Sequence, residues 1–279
     1  CPITETEKKA VGRYLDWHIG ILLETDGKMG IYRKKSGKLI YKEKADSEDG
    51  YLGMYLFLMG KYLEKTESTD LPEYWKKGIS LALKKIQSLM QDGITQVSEE
   101  NTTVYLMDNL EVWKGLYELE HAGLKDVQAI REMRNKLQAQ IEKLFWDDAN
   151  QRWRIIENSN LYHQKEFYPD GVAQIYPLIY EFPVKEKKKQ KILYKQFTER
   201  FQWQKLTKKR NGFLWAMTGM AAAQMGDINN LLEMIRNYEA EYCENRKYPL
   251  YTGEAGWICM ECEKLYSLYE RKIKTGFLV

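Results

Sequence analysis

The chain is short of the residues on which metal, disulfide and nucleic-acid chemistry depend. Its 279 residues include only three histidines and four cysteines, and the formal net charge is +3. A charge this close to neutrality argues against a nucleic-acid partner. The histidines have no spacing that would complete a zinc site with the cysteines, so no metal or other cofactor is expected. No apolar run reaches the roughly 18 residues of a membrane-spanning helix.

The few cysteines suggest two interpretations. Cys259 and Cys262 share one face of a predicted helix at i and i+3, and we expect their thiols to be buried. Cys1 opens the chain, where a mature bacterial lipoprotein carries its lipid. Residues 1–3 are therefore interpreted as a lipoprotein N-terminus, although a trimmed chain would begin in the same way. This predicts an extracytoplasmic, lipid-anchored protein whose only membrane contact is that lipid.

Linkers are also absent, and helical periodicity extends over nearly the whole chain. No Pro-, Gly- or Ser-rich stretch divides the sequence, which predicts a single domain over 1–279 and a monomer. Only residues 27–41 favour strands, as a small β-hairpin, and 146–154 favour a second turn with short extended arms. We predict helices near 4–24, 47–65, 72–91, 104–122, 125–146, 170–182, 185–201, 212–226, 228–243 and 254–274.

These helices alternate in character. Some are apolar over much of their circumference, which is typical of buried helices, whereas the intervening ones are amphipathic and would cover them from outside. The apolar helices are 47–65, 104–122, 170–182, 212–226 and 254–274. The alternation predicts an all-α fold, an (α/α) toroid of about five to six helical hairpins with a small β-hairpin near the N-terminus.

Acidic residues lie at or near the starts of four of the apolar helices. If these helices are parallel, their N-termini share one end, and the carboxylates meet in a cleft. Glycoside hydrolysis requires one protonated and one ionised carboxyl group, and crowded carboxylates raise each other's pKa. Helix capping is the structural alternative for each of them. The catalytic candidates are Glu48, Asp49, Asp108 and Asp170, with Glu254 in a supporting role.

The chain is rich in the aromatic residues that stack on sugar rings. It contains 20 Tyr and 8 Trp, whose rings have an apolar face and a polar edge. Several lie within a turn or two of the acidic helix starts, although Trp113 and Trp215 are equally well placed for a core. The candidate substrate-binding residues are Tyr51, Asn109, Trp113, Tyr168, Trp215, Tyr251, Glu254 and Trp257.

Residues 47–54 read Ser-Glu-Asp-Gly-Tyr-Leu-Gly-Met, similar to a Ser-Glu-Gly-x-x-Tyr-Gly-Met stretch in glycosidases. The chain thereby resembles the six-hairpin glycosidase superfamily, in particular distant relatives of glycoside hydrolase family 8 and exopolysaccharide-associated proteins. The resemblance implies an α/α toroid acting on a polysaccharide or oligosaccharide. It also implies that Glu48 is the general acid, with Asp49 as its closest rival. The family's second carboxylate has its counterpart at Asp108, and Asp170 competes for that role.

Three functions follow from these patterns. The first is a secreted or lipid-anchored glycoside hydrolase that works by carboxylate general acid/base catalysis. The alternative is a non-catalytic carbohydrate-binding or exopolysaccharide-assembly lipoprotein with the same fold. A third is a polysaccharide lyase, in which His163 is the candidate base.

Overall fold

Helices make up most of the structure and begin close to where the periodicity predicts them. The computed structural model describes residues 3–68, 70–159, 166–185, 187–205, 215–246 and 250–274. The α-helices in this part of the chain are α1 Glu5–Glu24, α2 Glu48–Thr66, α3 Glu73–Leu89, α4 Leu106–Glu120, α5 Gln128–Phe145, α6 Val172–Ile179, α7 Lys187–Phe201, α8 Thr218–Met225, α9 Ile228–Tyr238 and α10 Thr252–Lys274. The predicted mostly-α class is confirmed.

Short strands interrupt the helices. Strands β1 Gly30–Lys35 and β2 Lys38–Lys44 form the predicted antiparallel hairpin, with an irregularity between Ile31 and Tyr32. A second pair, β3 Met90–Gln91 and β4 Ile94–Thr95, was not predicted, because two-residue strands are too short to show an alternating pattern. The extended arms expected over 146–154 are β5 Trp146–Asp147 and β6 Arg152–Trp153.

Packing divides the described residues between two compact units. The first comprises Cys1–Asp147 with Arg154–Ser159, and the second comprises Asp148–Trp153 with Asn160–Val279. The single domain predicted over 1–279 stays a prediction.

The first unit is organised around α2 and α4, which touch through glycines. A Cβ atom on Gly53 would lie 2.6 Å from the backbone nitrogen of Val112, and one on Gly60 would lie 2.5 Å from the carbonyl carbon of Glu118. Because these contacts advance in the same direction along both helices, α2 and α4 are parallel and their N-termini lie at one end. The expected parallel arrangement holds for this pair.

In the second unit, α6 and α8 are buried along nearly their whole length. Two details of the predicted helices differ. The helix predicted over 212–226 begins at Thr218, because Trp215 has a left-handed backbone with φ of 60°. The helix predicted from 170 begins at Val172 and follows a π-helical segment over Phe167–Gly171.

Helix α10 buries a narrower stripe than expected. Ile258, Glu261 and Leu265 are buried, while residues one position further along the helix face solvent. Cys259 and Cys262 are among these exposed residues, so the prediction of buried thiols is wrong. None of the helices in the described ranges has both the length and the apolar character needed to cross a membrane.

Candidate functional site

The starts of α2 and α4 bring carboxyl groups together in the first unit. The charges of Asp49, Glu111 and Asp46 all act on the carboxyl of Asp108. Glu111 Oε2 lies 2.7 Å from the position that a Cβ on Gly50 would occupy, which places it directly against the first turn of α2. Asp46, Asp49, Asp108 and Glu111 are called the carboxylate cluster below.

Asp108 has the most strongly perturbed acidity in this cluster. Burial raises its pKa first, and the charges of Asp49 and Glu111 raise it further, to about 8. A low-polarity environment and nearby negative charges both disfavour the ionised form of a carboxylic acid. At neutral pH, Asp108 therefore carries a proton that an ordinary aspartic acid would have lost.

The hydroxyl of Ser47 lies between two members of the cluster. Ser47 Oγ donates to Asp49 Oδ1 over 2.9 Å, accepts from the backbone nitrogen of Gly50 over 3.2 Å, and is also hydrogen-bonded to Asp108. The hydrogen bond from Ser47 lowers the pKa of Asp108 and so opposes part of the effect of the surroundings. Burial and the charge of Asp49 are the larger effects, and they raise the pKa of Asp108 overall.

Asp49 and Asn109 support the cluster from inside the unit. Both are completely buried, and Thr95 binds both of them. Thr95 Oγ1 donates to Asp49 Oδ2 over 2.7 Å, and the Asn109 side chain bonds the backbone of Thr95 and the carbonyl of Tyr105. Burial raises the pKa of Asp49, against hydrogen bonds that favour its ionised form. These contacts favour a positioning role for both residues over direct contact with substrate.

Glu48 points away from the cluster, although it precedes Asp49 in the chain. Its Oε1 accepts from the backbone nitrogen of Met29 over 3.3 Å, and its Oε2 lies 3.4 Å from Lys85 Nζ. Glu48 is therefore held by Met29 and Lys85, whereas the carboxyl of Asp108 lies among other carboxylates.

Aromatic rings adjoin the carboxylate cluster. Tyr51 is 38% exposed, and burial followed by the charges of Asp46 and Glu111 raises its pKa, with a smaller contribution from Tyr14. Tyr14, itself half-exposed, has its ring centre 4.6 Å from that of His18. We call Tyr14 and Tyr51 the aromatic shelf.

Sequence reasoning found only part of this group. It identified Tyr51, but it missed Tyr14 and the ring pair behind it, His18 and Tyr55, whose planes are 3° from parallel. Burial lowers the pKa of His18 to about 4, so its ring is neutral. The spacing of four residues from 14 to 18, and again from 51 to 55, is a signal for two matching helical faces.

Trp113 lies in the interior of the first unit. It is 2% exposed, and its Nε1 donates to Gln138 Oε1 over 3.2 Å, which ties α4 to α5. This burial favours the core alternative for Trp113 over sugar stacking.

A second group of predicted site residues forms in the second unit. Glu254 Oε2 accepts from the backbone nitrogen of Ala216 over 2.7 Å, and Oε1 accepts from that of Trp215 over 3.3 Å. The rings of Trp215 and Tyr168 are 4.8 Å apart, and Tyr168 is 40% exposed. Glu254 therefore holds the non-helical backbone that carries Trp215.

The other predicted residues of the second unit are more dispersed. Asp170 lies in the π-helical segment, where its carbonyl accepts from Gln174. Tyr251 is half-exposed, and Trp257 packs edge-on against Tyr180 with ring centres 6.0 Å apart. His163 and Cys1 lie outside the described residues.

Sequence reasoning also missed Glu261, which lies seven residues after Glu254 on the same face of α10. It is completely buried, and its carboxyl faces the backbone N–H groups of Met220 and Gly219. Burial and the charge of Glu254 raise its pKa well above the usual value. Within the described ranges, no group of three or more His, Cys, Asp or Glu residues is arranged to hold a metal ion.

Known proteins give one kind of match. No protein-family model matches the chain, and no curated protein matches it either. Solved glycosidase structures do match, each over 94% of this chain and 78% of the glycosidase chain. The chain has a glycosidase-like fold. The matches include a glutamate-to-alanine variant at 13% identity with a TM-score of 0.56, another such variant in complex with glucose at 12% and 0.55, and a wild-type glycosidase at 12% and 0.55. At sequence identities this low, the matches show a likeness of fold alone.

Proposed function

We propose that the chain is a glycoside hydrolase in which Asp108 is the general acid. The observation that carries this proposal is the carboxyl of Asp108, whose pKa is raised to about 8 beside other carboxylates. Glycoside hydrolysis needs this combination of a protonated acid and an ionised partner at one site. The glycosidase-like fold supports the proposal, and the glucose complex of one structural neighbour supports a carbohydrate substrate.

In the proposed reaction, Asp108 gives its proton to the glycosidic oxygen as the bond to the anomeric carbon breaks. An ionised carboxylate either takes a proton from the water molecule that attacks the anomeric carbon, or attacks that carbon itself to form a glycosyl ester, which water then hydrolyses to release the sugar and the carboxylate. Asp46 and Glu111 are the candidates for this second role, because both charges reach Asp108 and neither residue is buried. Water finally supplies the proton that restores Asp108. The aromatic shelf would stack on the sugar ring.

The proposal includes features that the sequence predicts and the fold likeness leaves open. They are the α/α toroid of the six-hairpin superfamily with its relation to glycoside hydrolase family 8, a secreted or lipid-anchored location, and a monomeric state. The alternation of buried α2, α4, α6 and α8 with amphipathic α3, α5, α7 and α9 supports the toroid.

The second candidate is a carbohydrate-binding protein without catalysis. It is favoured by Glu254, whose two carboxylate oxygens are both engaged with backbone N–H groups, and by Asp49, whose oxygens are engaged by Ser47, Gly50 and Thr95. Carboxylates bound in this way stabilise structure and need no substrate. The lyase alternative depends on His163 and gains no support from the described residues.

The test is release of reducing ends from a panel of β-glucans, mannans, chitosan and uronate polymers, with absorbance near 235 nm recorded for lyase products. On a substrate that the protein cleaves, Asp108→Asn should reduce turnover by about 10²- to 10⁴-fold, the usual contribution of a general acid. The control is Asp92→Asn, at an exposed turn, which should behave as the wild type. Full activity in Asp108→Asn excludes this acid, and binding without release favours the second candidate.

A further inference from the structure

A pocket opens in the first unit, beside Glu48. Its volume is about 200 Å³, and its wall includes the inner side of the β1–β2 hairpin. Consecutive residues on a helix point about 100° apart, so Glu48 and Asp49 face different surroundings at the start of α2. The pocket is lined by Thr25, Lys28, Met29, Tyr32, Tyr41, Lys44, Ala45, Glu48, Lys85, Ser98, Glu99 and Glu100.

We propose that this pocket binds one uncharged sugar residue, at a site separate from the carboxylate cluster. The chemistry of the lining favours a sugar as the ligand, and this ligand class rests on the proposed function. Turnover at the cluster is not required for binding here.

The charges that line the pocket are balanced, because three lysines, Lys28, Lys44 and Lys85, face three glutamates. Lys85 Nζ lies 2.6 Å from Glu99 and 3.4 Å from Glu48. Lys44 Nζ lies 2.8 Å from Glu100. A charged ligand would upset this balance, whereas an uncharged ligand leaves it intact. The balance therefore favours a neutral ligand.

The same groups are suited to hydroxyl ligands. Lys85 is 7% exposed, and an ammonium group has three hydrogens to donate, of which Glu48 and Glu99 engage two. The third is available for a ligand oxygen at the floor of the pocket. Glu99 and Glu100 each keep lone pairs that accept from hydroxyls, and hydrogen bonds to charged groups are stronger than neutral ones.

The hairpin provides an apolar surface for a sugar ring. The rings of Tyr32 and Tyr41 are 5.7 Å apart and nearly perpendicular, and Tyr41 is 53% exposed. A Cβ on Gly30 would lie 2.6 Å from the Tyr41 ring, so the missing side chain lets that ring lie against strand β1. Tyrosine offers a sugar both a face for its C–H groups and a hydroxyl for its oxygens.

The experiment is calorimetric titration of the full chain with methyl glycosides of glucose, galactose and mannose, and with glucuronate as the charged probe. Tyr41→Ala removes the exposed ring without opening the core, and we expect binding of the neutral glycoside to weaken at least about tenfold. Tyr51→Ala, on the aromatic shelf, should leave this binding unchanged. In turnover the pattern should reverse, with Tyr41→Ala active and Tyr51→Ala impaired.

Each outcome decides between the two sites. Wild-type affinity in Tyr41→Ala, or loss of binding in Tyr51→Ala alone, overturns the proposal by placing the sugar elsewhere. Binding of glucuronate alone overturns the neutral ligand. If the protein hydrolyses none of the polymers but still binds a neutral glycoside in a way that depends on Tyr41, the sugar pocket is supported and only the proposed catalysis is refuted.

Discussion

Asp49 and Asp108, on two parallel helices, share the hydroxyl of Ser47 as a hydrogen-bond partner. The shared hydroxyl links a fully buried carboxylate to one near the surface of the unit. It thereby couples the acidity of Asp108 to a residue that no substrate reaches.

The first prediction concerns this hydroxyl. Ser47→Ala removes a hydrogen bond that lowers the pKa of Asp108, so that pKa should rise and the alkaline limb of kcat/KM should move to higher pH. The change also removes the N-cap of α2, which costs about 1 kcal/mol of stability. Ser47→Thr retains a hydroxyl and should restore both the limb and the stability. If Ser47→Ala had the same pH profile as the wild type, Ser47 would have no influence on the pKa of the general acid.

The second prediction concerns the pH dependence of the wild type. Activity requires protonated Asp108, so it should decline as pH rises through about 8. Glu111→Gln removes a negative charge that raises this pKa, and its alkaline limb should lie at lower pH. Asp92→Asn removes an exposed charge that is not among the main charges acting on Asp108, and its alkaline limb should coincide with that of the wild type. If the alkaline limb of Glu111→Gln lay at the same pH as that of the wild type, the assignment of Asp108 as the general acid would be contradicted.

The third prediction concerns the contact between α2 and α4. Gly53→Ala places a methyl group against the backbone of Val112, which has no rotamer with which to yield, and should cost at least about 1–3 kcal/mol of unfolding free energy. Gly20→Ala is the matched control in α1, where a Cβ meets nothing within 4 Å. It should be neutral or stabilise by up to about 1 kcal/mol. Chemical denaturation measures both, and equal stabilities would refute the close contact.

The fourth prediction concerns Glu261 and the stability of the protein. Its pKa in the folded state lies well above the unfolded value of 4.5, so the folded state binds more protons between those two values. Stability should therefore fall as pH rises from about 4.5, by at most about 1.4 kcal/mol per pH unit. The glutamine in Glu261→Gln cannot ionise, so the variant should lose this dependence of stability on pH. Burial of the amide changes the stability by the same amount at every pH.

The control for this prediction is Glu263→Gln, at an exposed position on the same helix. Unfolding free energies measured between pH 5 and 8 should run parallel for Glu263→Gln and the wild type, and diverge for Glu261→Gln. Parallel curves for all three proteins would mean that Glu261 is ionised in the folded state.

The sequence predicted the helices well because burial and helical periodicity are local properties. It placed the start of α2 within one residue and identified the β1–β2 hairpin. It did not predict the left-handed backbone of Trp215, because that conformation is held by Glu254 from another helix. Contacts of this kind depend on tertiary structure and leave no pattern in the sequence.

The sequence predicted where the candidate site lies, but not which of its carboxyl groups has which role. The sequence pointed to Glu48, Asp49 and Asp108, and two of these lie in the carboxylate cluster. The roles depend on the surroundings, Lys85 beside Glu48 and the buried Asp49 beside Asp108, and these are brought together only by folding. Asp46 and Glu111 have no distinguishing signal in the sequence, because a charged residue near a helix start is usually a solvated or capping group.

The glycine contact between α2 and α4 also fixes the angle of α2 about its own axis. Because Gly53 packs against Val112, Glu48 faces the pocket proposed to bind a sugar, and Asp49 faces the other carboxyl groups of the carboxylate cluster. Insertion or deletion of one residue between Asp49 and Gly53 would turn the helix start by about 100°. Both surroundings would then receive the wrong side chain, so the length of this short stretch of α2 is as constrained as the identity of its residues.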